Sequence, residues 1–110
     1  MAKETEVYLG HILESIQSID EYLDHLTFDD FKKRKVIIDA VIRRFEIMGE
    51  AVRQMPIDFK KKYPDVPWRD IADMRNYLIH EYFGVDINEV WRTIKDDLPV
   101  FKEKISEILK

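Results

Sequence analysis

Cysteine is absent from these 110 residues. Disulfide frameworks, thiolate nucleophiles and cysteine-bound metals are therefore excluded, and the absence fits a reducing compartment. No apolar run approaches the roughly 20 residues that span a bilayer. Residues 1–6 are polar and acidic, where a secretory leader would be basic and then apolar. A cytoplasmic location without membrane contact is the expectation. Glycine occurs three times and proline four times, too sparsely to form a flexible linker, and no low-complexity tract or internal repeat divides the chain. One domain over residues 1–110 is expected. There is also no strand-like alternation, no Asn-Gly hairpin signal and no glycine-rich phosphate loop.

What is present is apolar material at helical spacing. Apolar residues make up 45% of the chain and charged residues 36%, a balance that supports a packed core under a charged shell rather than disorder. Leu9, Ile12, Leu13, Ile16, Ile19, Leu23 and Leu26 recur in steps of three and four, which predicts a helix over about 4–26. Thr27-Phe28-Asp29-Asp30 then reads as a capping box, hydroxyl first and acid three later. It opens a second helix, about 28–54, with Phe31, Ile38, Val41, Phe45, Met48 and Val52 on one stripe. Gly49 lies inside that helix at a cost of roughly 1 kcal/mol against alanine, and close approach of another helix is a sufficient cause. Pro56, Pro64 and Pro67 punctuate the next stretch, with a short helical turn expected at 57–62. Pro67 suits the first turn of a third long helix, about 67–82, and Gly84 suits its stop. Asp86-Ile87-Asn88-Glu89 caps a further helix carrying Val90, Trp91 and Ile94. Pro99 ends or kinks it, and a last piece runs through Phe101, Ile105, Ile108 and Leu109. The predicted fold is all-α, an up-and-down bundle of four to five helices, with Trp68 and Trp91 as core anchors.

The net charge of −4 gives no general attraction to nucleic acid, but the charge is unevenly placed. Residues 1–30 carry eight acids and one base. Residues 31–75 carry twelve bases, among them Lys32–Lys35, Arg53 and Lys60–Lys62, against seven acids. That middle third is a local footprint for phosphates, or else solvated helix surface.

Chemistry concentrates in Arg75-Asn76-Tyr77-Leu78-Ile79-His80-Glu81-Tyr82. Arg75, Asn76, His80 and Tyr82 put a fixed cation, an amide, a titratable base and a phenol within eight residues. Arginine stays charged and grips phosphate with two prongs. Histidine titrates near neutrality and both takes and gives protons. An Arg–His spacing of five is common enough to arise by chance, and His80 read alone could simply satisfy a helix end.

The whole run resembles the Arg-x4-His-x-Tyr form of the HEPN signature, with the usual polar residue, Asn76, after the arginine. Gly49-Glu50-Ala51, Pro67-Trp68-Arg69-Asp70-Ile71 and Val85-Asp86…Val90-Trp91…Ile94…Leu98-Pro99 are similar to the HepT-like proteins. The resemblance covers roughly residues 40–100. It implies a HEPN-type bundle working as a homodimer, with both motifs meeting at one cleft. It implies a metal-independent endoribonuclease toxin that needs no cofactor. It further implies a cognate partner, a minimal nucleotidyltransferase antitoxin that neutralises the toxin by transferring AMP to Tyr82. In that frame Arg75, His80 and Asn76 are the catalytic residues.

Elementary chemistry gives the dimer its own rationale. Cleavage through a ribose 2′-OH needs a base for the hydroxyl and an acid for the leaving oxygen. Two chains related by a two-fold axis would bring two copies of His80 to one groove, with two copies of Arg75 to stabilise the phosphorane. On an unbroken helix Arg75 and His80 point about 140° apart, Asn76 and His80 about 40° apart, and Arg75 and Tyr82 about 20° apart. Arg75 and His80 therefore meet only if the helix loosens, if the arginine wraps round, or if a partner chain supplies the missing group. Asn76 is one turn from His80 and placed to orient it.

The remaining polar residues read more plainly. His11 and His25 fall on the first helix without a motif around them. Glu50 reads as a helix-packing or polar-network residue before a catalyst. Asp70 and Asp73 are poor metal ligands without a further cluster. Against the ribonuclease stands a non-catalytic HEPN module that binds nucleotide or a nucleotidyltransferase partner, and the Arg75–His80 pair favours the enzyme. A helical homodimer without catalysis is the plainest alternative.

Overall fold

The computed structural model describes residues 1–81 and 83–110. Five helices of ten or more residues and two of six make up the described structure: α1 (Lys3–Tyr22), α2 (Phe28–Lys33), α3 (Lys35–Gln54), α4 (Ile57–Lys62), α5 (Trp68–His80), α6 (Ile87–Asp96) and α7 (Leu98–Ile108). No strand occurs among the described residues. The all-α expectation holds, with differences at several helix ends.

The first helix stops at Tyr22 rather than near residue 26. Leu23 closes it, and His25 takes a left-handed backbone (φ 63°) that turns the chain. His25 is thus in a turn, with its imidazole 3.5 Å from Asp24. Leu23 and Leu26 keep helical spacing through this tight turn, so their periodicity conceals the stop. Thr27 then forms the predicted capping box, its hydroxyl accepting from the Asp30 N–H while the Asp30 carboxylate accepts from the Thr27 N–H.

The expected helix over 28–54 is two helices. Arg34 breaks it with φ −111° and ψ 85°. The break swings α2 so that Phe28 and Phe31 lie against the Trp91 ring on α6, with centroids 5.5 and 5.2 Å away. Phe31 is fully buried there. Trp91 is only half-buried, with Lys95 Nζ 4.6 Å above its ring.

The central helix is α3, which contacts α1, α2 and α5. Tyr8 and His11, early in α1, share a groove with Ile47, Glu50 and Gln54, late in α3. Tyr22, at the end of α1, accepts a hydrogen bond from Arg44 Nε–H nearer the start of α3. The two helices are therefore antiparallel. Leu9, Ile12, Ile16, Phe45, Met48, Ile71, Phe101 and Ile105 interlock in one core with 1% exposure or less. Every helix but α4 contributes a buried side chain to it. Each such side chain contributes about 1.5–3 kcal/mol of transfer free energy.

Trp68 is a core anchor, as predicted, at 8% exposure. Its indole N–H donates to the Tyr63 carbonyl at 3.0 Å, and Phe101 meets it edge-on. Pro67 caps α5 from outside instead of entering its first turn, and Pro99 opens α7 as well as closing off α6, with Asp97 the joint between them. Among the described residues no helix is long and apolar enough to cross a membrane.

Candidate active site on α5

Gly49 and Arg75 explain each other. A Cβ on Gly49 would overlap Arg75 Cβ and lie 2.6 Å from its Cγ. The glycine predicted to admit a neighbouring helix is the slot through which the Arg75 stem crosses α3. The stem leads the guanidinium to two fixed acceptors. Nη1–H donates to Asn76 Oδ1 at 2.9 Å, and Nη2–H donates to Glu50 Oε2 at 3.3 Å. An arginine has five N–H donors, so three remain. The Arg75 side chain is 22% exposed, enough to reach a ligand.

Glu50 is held in turn. Gln54 Nε2–H donates to its other oxygen at 3.0 Å, and Arg53 Nη1 lies 3.7 Å from Oε2. The Gln54 hydrogen bond is the main cause that keeps the Glu50 carboxyl below its ordinary value; burial opposes it, and the charges of Arg53 and then Arg75 add lesser downward pulls. Two guanidinium groups against one carboxylate leave this cluster with a net positive charge.

His80 is the last residue of α5, and it is exposed. Among the described residues it makes no hydrogen bond or ion pair. Its imidazole is therefore open to an incoming ligand. The helix is regular up to it, with Glu81 N–H donating to the Tyr77 carbonyl at 2.9 Å. Two of the three ways of joining Arg75 to His80 thus fall away. The helix does not loosen before His80, and Arg75 turns toward Glu50 and Asn76 instead of wrapping round. Within one chain the two side chains stay apart.

Asn76, one turn before His80, makes no hydrogen bond to it among the described residues; its carbonyl oxygen instead accepts from Arg75. Tyr82 lies outside the described residues. The helix expected to reach residue 82 ends at His80. Glu81 leaves the helical region (φ −109°, ψ 30°) and its carbonyl accepts from Gly84 N–H at 2.9 Å.

Tyr77 is a residue that spacing did not reveal. Its hydroxyl oxygen accepts from the Asp86 N–H at 2.7 Å and ties the segment after His80 back onto α5. A Tyr77→Phe variant is expected to lose about 0.5–1.5 kcal/mol. Amide exchange at Asp86 is expected to speed up by an order of magnitude while the core amides of α3 shift only with the global loss. Unchanged exchange at Asp86 would mean that the hydrogen bond does not restrain the segment.

The other flank of α5 is acidic. Asp70, Asp73, Glu89 and Asp97 line a groove between α5 and α6 with Arg92 as the cation among them. Burial, and then the charge of Asp70, push the Asp97 carboxyl up. That flank carries an excess of negative charge, whereas the α3 side of α5 carries the guanidinium groups of Arg53 and Arg75. Asp73 stands 3.9 Å from Arg69 Nε. Among the described residues no group of three or more His, Cys, Asp or Glu side chains is placed to hold a metal ion.

Comparison with known proteins adds to this geometry. The family model "Ribonuclease HepT-like" matches residues 12–108. A Methanocaldococcus jannaschii protein, named for a gamma-glutamylcyclotransferase and a presumed RNase, is 48% identical over 110 residues, which are all of this chain and half of that protein. The chain therefore spans about half the length of that relative. "Probable ribonuclease HepT" of Thermococcus cleftensis is 44% identical over 110 residues, the full length of both chains. A presumed RNase of Caldanaerobacter subterraneus subsp. tengcongensis is 42% identical over 108 residues, covering 98% of this chain and 96% of that one. No solved structure gives a significant match. An Arg75–His80 motif on an intact helix, backed by a family match over nearly the whole chain, places the protein in the HepT-like ribonuclease family.

Proposed function

We propose that the protein is an endoribonuclease toxin that cleaves RNA through the ribose 2′-OH without a metal ion. The observation that supports this most directly is the state of the two motif side chains. Arg75 is held with three N–H donors to spare, and His80 is exposed with no partner among the described residues. A held cation suits a phosphate whose charge grows in the transition state, and an open imidazole suits proton transfer at the oxygens. The 2′-oxygen attacks phosphorus, its proton passes to one imidazole, and the 5′-oxygen leaves with a proton from another. The products are a 2′,3′-cyclic phosphate and a 5′-hydroxyl.

The separation of Arg75 from His80 within one chain supports a homodimer, in which a second copy completes the cleft. Asn76 then serves catalysis by holding Arg75 rather than by touching His80. The natural inhibitor in this reading is a minimal nucleotidyltransferase that places AMP on the Tyr82 phenol, adding negative charge where RNA must bind. A cytoplasmic location fits such a pair.

The test is cleavage of varied RNAs by the purified, unmodified protein in excess chelator. Cleavage with cyclic-phosphate ends is expected, and an RNA carrying 2′-deoxyribose at the cut site should survive. No cleavage by the folded protein would overturn the ribonuclease and leave a non-catalytic module that binds nucleotide or the nucleotidyltransferase. Cleavage that the chelator abolishes would overturn the metal-independent mechanism.

A further inference from the structure

The ribonuclease mechanism uses Arg75 and His80 and leaves Glu50 without a role. Yet Glu50 is the acceptor that fixes Arg75 to α3, 25 residues away in sequence. We infer that Glu50 is a positioning residue for Arg75, and that with Gln54 and Arg53 it sets the plane in which the guanidinium meets the scissile phosphate. This rests on the ribonuclease reading for its catalytic consequence, though not for its geometry.

The guanidinium is anchored at both terminal nitrogens, Nη1 on Asn76 and Nη2 on Glu50. Two anchors fix a plane where one would leave it free to rotate, and a planar fork binds phosphate well only in a matching orientation. The stem is fixed as well, since the Gly49 slot leaves its Cβ and Cγ no room toward α3. The anchor itself does not swing, because its second oxygen accepts from Gln54.

A carboxylate beside a phosphate-binding cation would ordinarily weaken the site. Here Arg53, 3.7 Å from the same oxygen, offsets it. The cluster keeps a positive charge for the substrate while the carboxylate supplies direction. Both Glu50 oxygens already accept a hydrogen bond, one from Gln54 and one from Arg75, which suits an anchor rather than a base.

The test compares the parent with Glu50→Ala and Glu50→Gln in steady-state cleavage of a short RNA, with folding checked by circular dichroism. The alanine variant should lose about tenfold to a hundredfold in kcat, as expected for a displaced catalytic group, with KM unchanged or lower. The E50Q amide oxygen can still accept from Arg75 while Gln54 turns its own amide round, so this variant should stay within about threefold of the parent. Parental kcat in Glu50→Ala would overturn the inference. So would an E50Q variant as inactive as Glu50→Ala with an altered acid limb in its pH profile, which would make Glu50 a proton-transfer group.

A second readout does not depend on activity. In 15N side-chain spectra the Arg75 Nε–H resonance should be sharp in the parent and in E50Q, and exchange-broadened in Glu50→Ala. An unchanged resonance in Glu50→Ala would overturn the positioning role even if the parent cut no RNA. If the parent cuts nothing but the resonance responds as expected, the ribonuclease reading fails and the positioning of Arg75 stands.

Discussion

Replacement of His80 by alanine should lower RNA cleavage by about 10²–10⁴-fold and leave the fold unchanged. The two halves of this expectation come from the same fact. His80 is exposed at the end of α5 and makes no hydrogen bond or ion pair among the described residues. Removing its ring opens no cavity and strands no buried partner. Surface changes of this kind stay within about 0.5 kcal/mol, which corresponds to roughly 2–4 °C in melting temperature for a domain of this size. A side chain that holds nothing in the resting protein yet controls turnover is acting on the substrate. Kinetics with a short RNA and a thermal melt of the same preparation check both halves. Equal cleavage by parent and variant would remove His80 from the mechanism. A fall of 10 °C or more would mean that the imidazole supports the fold, and any activity loss would then be ambiguous until the variant was assayed well below its melting temperature.

How much of this was legible in the sequence differs by kind. Apolar periodicity found the buried stripes, because burial in a bundle follows the 3.6-residue repeat: Leu9, Ile12, Ile16 and Ile19 on α1 and Val41, Phe45, Met48 and Val52 on α3 are all in the core. Capping at Thr27 and Asp86 was readable because it is settled within a few residues. Helix ends were less so. The stop at Tyr22 and the break at Arg34 are fixed by where α2 must go to bury Phe31, and local spacing carries no record of that. In the site, the angle between Arg75 and His80 followed from helix geometry alone. The Glu50–Arg75 bond did not, since it joins two helices at a separation of 25 residues. Arg53 and Gln54 nonetheless both lie one turn after Glu50 on α3, and this spacing, with the adjacent glycine, was the available hint of a polar network. The link from Tyr77 to Asp86 left no trace at all, because the hydroxyl of a half-buried tyrosine has many possible acceptors and donors.

The second large effect is expected at Gly49, and its sign opposes helix propensity. Alanine is favoured over glycine inside a helix by about 1 kcal/mol. At Gly10, in α1, nothing lies within 4 Å of an added Cβ, so Gly10→Ala should gain up to that amount. At Gly49 the added Cβ would overlap the Cβ of Arg75 and crowd its Cγ. These atoms belong to the base of the side chain and move only if α5 moves. Overpacking of this kind costs about 1–3 kcal/mol, so Gly49→Ala should be neutral at best and at worst about 2 kcal/mol less stable, the larger value lowering the melting temperature by about 8–16 °C. Activity should suffer more than stability. A shift of α5 draws the guanidinium off Glu50, and a misplacement of about 1 Å can cost 10²-fold in rate. The pair of alanine variants, melted and assayed side by side, isolates the close approach from helix propensity. If Gly49→Ala proved as stable and as active as Gly10→Ala, α3 and α5 would not meet as closely as Gly49 and Arg75 do here, and the slot that carries Arg75 to Glu50 would have no basis.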